Sequence, residues 1–333
     1  MYKTLQLSLL FFLTLLIPNH NYGDGSKRKD SLKNRKQLLR ETKVEEGKIF
    51  YLNKMISIEE YEKNKKEELK VYKDDLKSLY KLEFNTHYTK HYNIAHRCNQ
   101  NQSKTMDSYL KVFFDDIYSR YFIYEPRFTL RIIFFKTKAE FIKVMGYDTY
   151  GVYFPESDEF YTATERTLYT YCGSGDGTLW HEMIHSFVDL NTDFDVQQWF
   201  NEGFASFYEM GTVQNGKFIE GYTNWRHPEL QRIIREKKFT PLKKFLLSEG
   251  MREDYGYAAA RFLFCYLWME NKMIPFVKSY IYELSPNYSG KELGVKVIQK
   301  LEELTGKSID QIESDYITLA LKHKKYEKLN QKK

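Results

Sequence analysis

TLWHEMIHSFVD, residues 178–189, sets His181 and His185 four positions apart with Glu182 directly after the first. On a helix, side chains four apart project from one face. That face can offer two imidazole nitrogens to a single ion, which zinc takes at about 2.0–2.1 Å each. Glu182 then points aside, where it reaches a water on the ion without ligating the ion itself. The alternative is a buried, hydrogen-bonded histidine pair on an apolar helix. The choice turns on whether the chain supplies a third ligand.

One known solution places a glycine and a third histidine shortly after the pair, but those positions hold Val188 and Asn191. Another takes a glutamate from a following helix. Sixteen residues lie between His185 and Glu202, which sits in QWFNEGFASFYE, residues 198–209. The intervening VDLNTDFDVQQ is polar enough to turn the chain. A second helix beginning near Gln197 then runs back past the first and presents Glu202.

HEMIH followed by NEGFA resembles the gluzincin zinc metallopeptidases, in particular the peptidase MA-like family, whose second helix carries an N-E-x-x-A pattern. The resemblance covers residues 84–320 and is strongest over 150–270. It implies a zincin-like fold and one zinc ion per chain, held by His181, His185 and Glu202. It makes Glu182 the base that activates the metal-bound water, and Asn201 a partner that orients a ligand histidine. Related gluzincins also supply a tyrosine hydroxyl for the oxyanion. DYGYAAARFLFCYLWME, residues 254–270, offers Tyr257 and Tyr255, and Tyr257 matches the family's tyrosine-to-Tyr-Leu run, ending here at Tyr266-Leu267.

Other polar groups carry weaker signals. Asp189 could support a ligand histidine from its own helix. His87, His91 and His96 do not share one strand face and read as surface positions rather than a second metal site. GSGDG, residues 173–177, lacks the lysine of a phosphate loop and reads as a flexible entry to the histidine helix. Met269-Glu270-Asn271 lacks the leading glycine of an amine-binding motif and follows the zinc motif instead of preceding it. No group is thereby assigned to a free α-amine, which favours an endopeptidase-like reaction.

Along the chain, the elements alternate and then turn helical. GKIFYLNKMIS reads as a hairpin around Asn53-Lys54. Ser57 and Glu60 form a capping box for a helix running to about Leu82, with Leu69, Tyr72, Leu76 and Leu79 as its apolar stripe. Residues 84–97 are extended and a helix follows from Lys104 to Tyr121. FTLRIIFF, residues 128–135, is a β-branched and aromatic strand. Thr137 and Glu140 cap a short helix that Gly146 ends. GVYF and EFYTAT flank Pro155 as a hairpin. Beyond residue 195 the chain is mainly helical, apart from a turn at Gln214-Asn215-Gly216-Lys217. The expected class is α+β, with an N-terminal mixed-sheet lobe bearing the site helix and a mainly helical C-terminal lobe.

The 333 residues, 42% hydrophobic and 29% charged, have the balance of a globular protein. TLQLSLLFFLTLLI, residues 4–17, follows Lys3 and is short for a membrane span. Residues 1–22 therefore read as a signal peptide, although no clear cleavage site follows. The product is expected to be secreted, or periplasmic or envelope-bound, with an N-terminal anchor if the segment stays uncleaved. Residues 23–83 form a charged linker, hairpin and helix, 84–325 the catalytic domain, and 326–333 a basic tail. The net charge of +6 gathers at SKRKDSLKNRK, residues 26–36, and at the C-terminus. These runs read as solvated flanks, able at most to associate weakly with an anionic surface or membrane. No nucleic-acid motif accompanies them. Cys98 and Cys172 could pair in an oxidising compartment, and Cys265 sits in an apolar helical run. The expectation is a zinc-dependent peptidase acting on peptide or protein substrates. The alternatives are an inactive zinc-holding surface protein and an amide hydrolase of peptidoglycan cross-links.

Overall fold

The computed structural model describes residues 48–332, apart from 52–53, 90, 124–129, 147, 155–166, 193–195, 249 and 252–254. The signal segment and the first basic run lie outside the described residues. β1 (Lys48–Tyr51) and β2 (Lys54–Ser57) form the expected hairpin, and Ser57 Oγ caps α1 (Ile58–Tyr80) by accepting from Glu60 N. Lys81, in the left-handed region at φ 58°, ends α1. Leu69, Tyr72 and Leu76 are buried as predicted, but Leu79 is exposed. Its place on the buried side goes to Lys65, held by Asn93 and Glu68. Burial lowers the pKa of that lysine, against the pull of Glu68.

β3 (Asn85–Tyr88) and β4 (Tyr92–His96) follow, then α2 (Gln100–Phe113), which starts earlier than expected because Asn99 and Gln102 form a capping box. A π-helical stretch, Phe114–Tyr118, and a last turn, Ser119–Tyr121, extend it. β5 (Leu130–Phe135) and α3 (Lys138–Met145) lead to β6 (Gly151–Phe154) and β7 (Thr167–Tyr171). Strand order is β3-β4-β5-β7-β6, with β4, β5 and β7 parallel and both edge strands antiparallel. The partner of GVYF is therefore TLYTY; EFYTAT, the partner expected from sequence, lies outside the described residues. β7 is buried at every position, so no alternation marks it.

Parity divides the sheet. Ala95, Ile133, Phe135, Tyr169 and Tyr171 face the small core under α1 and α3. Tyr92, Ile94, Leu130, Ile132, Phe134 and Leu168 face the main core. His96 falls on that second face and is 7% exposed, not on the surface as expected. Cys98, just beyond β4, pairs with Cys172, just beyond β7, with Cα atoms 5.5 Å apart.

α4 (Asp176–Asn191) and α5 (Gln198–Tyr208) come next, then a hairpin of β8 (Thr212–Gln214) and β9 (Lys217–Ile219). Asn215 and Gly216 take φ of 51° and 71°, the values its two-residue turn requires. The rest is helical: α6 (His227–Arg235), α7 (Leu242–Leu246), α8 (Gly256–Met269), α9 (Met273–Ser279), α10 (Gly290–Thr305) and α11 (Ile309–Lys322). Cys265 is buried in α8, as predicted. The fold is α+β, a mixed five-stranded sheet followed by a mainly helical region. No helix of the described residues is long and apolar enough to cross a membrane.

The C-terminal basic tail, residues 326–333, was expected to be solvated. Through residue 332 it is instead docked. Leu329 is buried, its N–H donates to Gly221 O at 2.8 Å, and Lys332 N donates to Met269 O at 2.8 Å. The buried Leu329 anchors the segment, while Lys332 pairs with the Glu270 carboxylate and Lys328 Nζ donates to the backbone carbonyl of Glu220.

Candidate metal centre

α4 and α5 run antiparallel, because the start of α4 meets the end of α5. Gly177 allows that approach: a Cβ there would lie 2.1 Å from Glu209 O. The same register brings His185, midway along α4, to Asn201 in the first turn of α5. His181, His185 and Glu202 thereby converge, with one ligand-type atom from each within 4.8 Å of the others. Among the described residues they are the only such group of histidines, cysteines and carboxylates.

The contacts of the two Nδ1 atoms indicate which nitrogens face inward. His185 Nδ1 lies 3.0 Å from Asn201 Oδ1, an acceptor, so Nδ1 carries the proton and Nε2 keeps its lone pair. His181 Nδ1 lies 3.1 Å from Glu209 Oε1, a charge-assisted contact bent away from ideal hydrogen-bond alignment. A carboxylate accepts only, so His181 Nε2 also presents a lone pair. The two Nε2 atoms are 3.0 Å apart, and Glu202 Oε2 is 3.3 Å from His181 Nε2 and 3.7 Å from His185 Nε2. Three electron-rich atoms in this array repel one another unless a cation sits among them. Bonds of 2.0–2.1 Å in a tetrahedron require ligand separations of about 3.3 Å, and the three observed distances bracket that value. The donor set therefore could hold a metal ion.

A proton is the cation this donor set takes when no metal is bound. Burial opposes charge on His181, but Glu202 and Glu209 outweigh burial and raise its pKa to about 10. Burial and the neighbouring His181 lower that of His185. Burial would raise the carboxyls of Glu202 and Glu209, yet the histidines, and for Glu209 also Arg226 and Arg261, bring both below the usual carboxylate range.

Glu209 was not singled out from sequence. Its signal was available: seven residues after Glu202 is two helical turns, hence the same face. Its Oε2 accepts from Asn224 Nδ2 at 3.0 Å and pairs with Arg226. The carboxylate thus ties His181 to the loop before α6.

These residues line an open cleft of about 1060 Å³. Glu182 lines it beside the ligand atoms, and so do the edge strand β6 and Tyr257. Gly151 of β6 packs so closely on α4 that a Cβ would lie 2.7 Å from Thr178 Cγ2 and 3.2 Å from Glu182 Cγ. Tyr257 is partly buried; burial and the Glu202 charge raise its pKa, keeping the hydroxyl protonated. Tyr255, the other tyrosine of that segment, is buried and bound to Thr240, away from the cleft. Asp189 Oδ2 accepts from Tyr153 at 2.9 Å, joining α4 to β6, while Nδ1 of His185 belongs to Asn201. His87 contacts Asp107 and meets His96 edge-on, ring centres 5.5 Å apart, while His96 also meets Ser103 and His91 stacks on Phe114; the three form no metal-ligating group among the described residues.

No protein-family model matches the sequence, and no curated protein matches it significantly.

Proposed function

We propose that the protein is a zinc-dependent peptidase of the gluzincin, peptidase MA-like kind, with a zincin-like fold and an endopeptidase-like action. The observation that carries this reading is the convergence of His181 Nε2, His185 Nε2 and Glu202 Oε2 in an open cleft that Glu182 also lines. A bound zinc ion would supply Lewis acidity and lower the pKa of a water. Glu182 accepts the proton of the attacking water and returns it to the leaving amine. The Tyr257 hydroxyl donates to the oxyanion that forms on the carbonyl. Asn201 and Glu209 hold the two imidazoles in the tautomer the site needs.

The mixed sheet with β6 at its cleft edge supports a peptide substrate. An edge strand leaves backbone N–H and C=O groups able to pair with an extended chain. Glu182 favours catalysis over mere metal holding, because it is not needed as a ligand. The Cys98–Cys172 disulfide supports residence in an oxidising compartment, in line with a secreted or envelope protein. The deciding experiment measures metal content and hydrolysis of a quenched peptide library together. About one zinc per chain, with cleavage lost in Glu182→Gln, is expected. Folded, zinc-supplied protein that binds no metal would sink the reading.

A further inference from the structure

The cleft contains a cationic group that water activation does not use. Among its described lining residues, Arg226 is the only side chain of fixed positive charge; Glu182, Asp189, Glu202 and Glu209 are acidic. Its side chain is 26% exposed. The guanidinium lies 4.7 Å from the ring centre of Trp225 and 5.6 Å from that of Tyr257. Trp225 is itself 47% exposed and lines the same cleft. Two aromatic contacts hold the planar cation in place.

The pairing of Arg226 is incomplete. Nη1 meets Glu209 Oε2, and among the described residues the side chain makes no other hydrogen bond. Glu209 divides its two oxygens among His181, Asn224 and Arg226. A guanidinium has five N–H donors, so one carboxylate oxygen does not saturate it. The remaining donors form a preorganised fork, one carboxylate away from the ligand histidine His181.

We propose that Arg226, flanked by Trp225 and Tyr257, is a subsite for a carboxylate on the peptide substrate, either a free C-terminus or an acidic side chain. That the carboxylate belongs to a substrate rests on the peptidase reading; that the pocket takes a carboxylate rests on the geometry alone. A guanidinium matches a carboxylate in bidentate fashion. The acidic residues elsewhere in the cleft repel the same group, so attraction at one point and repulsion at the others fix the peptide's register.

The test uses zinc-loaded, full-length Glu182→Gln protein and blocked peptides in three matched forms. One is neutral with a C-terminal amide, one has a free C-terminal acid, and one has glutamate replacing glutamine with the amide kept. Equilibrium binding is followed by anisotropy of a labelled peptide. At least one acidic form is expected to bind about tenfold or more tighter than the neutral one, the scale of a charge-assisted hydrogen bond. Which form gains identifies the source of the carboxylate. In Glu182→Gln/Arg226→Gln the advantage disappears; Arg226→Lys, which keeps the charge without the fork, retains only part of it. Trp225→Ala leaves the ion pair to Glu209 and reduces the advantage. Equal binding of all three forms, no binding of any, or an advantage that survives Arg226→Gln overturns the proposal. Wild-type protein that binds the acidic peptide but never cuts it removes the peptidase reading and keeps the subsite. Cleavage without acid preference does the reverse.

Discussion

His181 Nδ1 faces Glu209 Oε1 at 3.1 Å, while the other oxygen of Glu209 is held by Asn224 and Arg226. The carboxylate thus favours a proton on Nδ1 of His181 and raises the basicity of Nε2, the nitrogen that faces His185 and Glu202. Glu209→Gln keeps the size but removes the charge. Such partners are worth about 10–100-fold in metal affinity, so a loss of that order is expected, with a circular dichroism spectrum like wild type. Competition against a chromophoric chelator measures it, and unchanged affinity would remove Glu209 from the site.

The metal-free protein should show a pH signature of the same contact. The folded pKa of His181, about 10, stands above its ordinary 6.5. A raised histidine pKa stabilises the fold fully below 6.5, and that stability is lost as pH rises through 10. Metal needs the lone pair the proton occupies, so binding releases a proton. Between pH 7 and 9, affinity should rise about tenfold per unit, because one proton leaves for each ion bound. The lowered His185 is already neutral there and adds nothing. A flat affinity over that range would mean that His181 carries no proton in the free site.

Glu182 and the ligands should separate cleanly. Glu182→Gln is expected to bind one zinc as wild type does and to lose hydrolysis by about 10²–10⁴-fold, the range for a general base. His185→Ala and Glu202→Ala should lose metal and activity together. Metal analysis beside single-turnover assays distinguishes the two patterns, and turnover preserved in Glu182→Gln would refute its role as base.

The hydroxyl of Tyr257 should affect kcat more than KM, because an oxyanion exists only past the ground state. Tyr257→Phe is expected to lower kcat by about 10–10³-fold, on the scale of losing one oxyanion donor, with zinc content unchanged. A change confined to KM would make Tyr257 a binding residue only.

The candidate site was legible because His181 and His185 stand one helical turn apart, while Asn201 and Glu202 fall in NEGFA, the stretch that carries the resemblance. Glu209 follows the same rule two turns on, yet a lone glutamate at a helix end carries no signal until Gly177 is seen to bring it beside α4. Arg226 was hidden for another reason. It lies in a loop, and loop placement depends on contacts such as those to Glu209 and Trp225 that no local pattern encodes. In the sheet, β5 announced itself by composition. β7 did not, because burial on both faces erases alternation, and the pairing of β6 with β7 was not foreseen as a result. His96 and Leu79 were misplaced by single-residue reasoning. Strand parity carried the histidine inward, and the paired Lys65 took the buried place expected of the leucine.

The Cys98–Cys172 bridge should matter for stability. It joins the ends of two parallel strands, β4 and β7, and closes a segment with a sequence separation of 74. Cross-links of this kind limit the unfolded chain and contribute about 2–4 kcal/mol. Cys172 also opens the loop that enters α4, so the bridge holds the base of α4 against the sheet. Reductant should lower the melting temperature of wild type by several degrees, about 2–4 °C per kcal/mol for a domain of this general size. Cys98→Ser/Cys172→Ser should melt at that lower temperature and be indifferent to reductant. A double variant as stable as oxidised wild type would show that the packing of β4, β5 and β7 holds these strand ends without the bond.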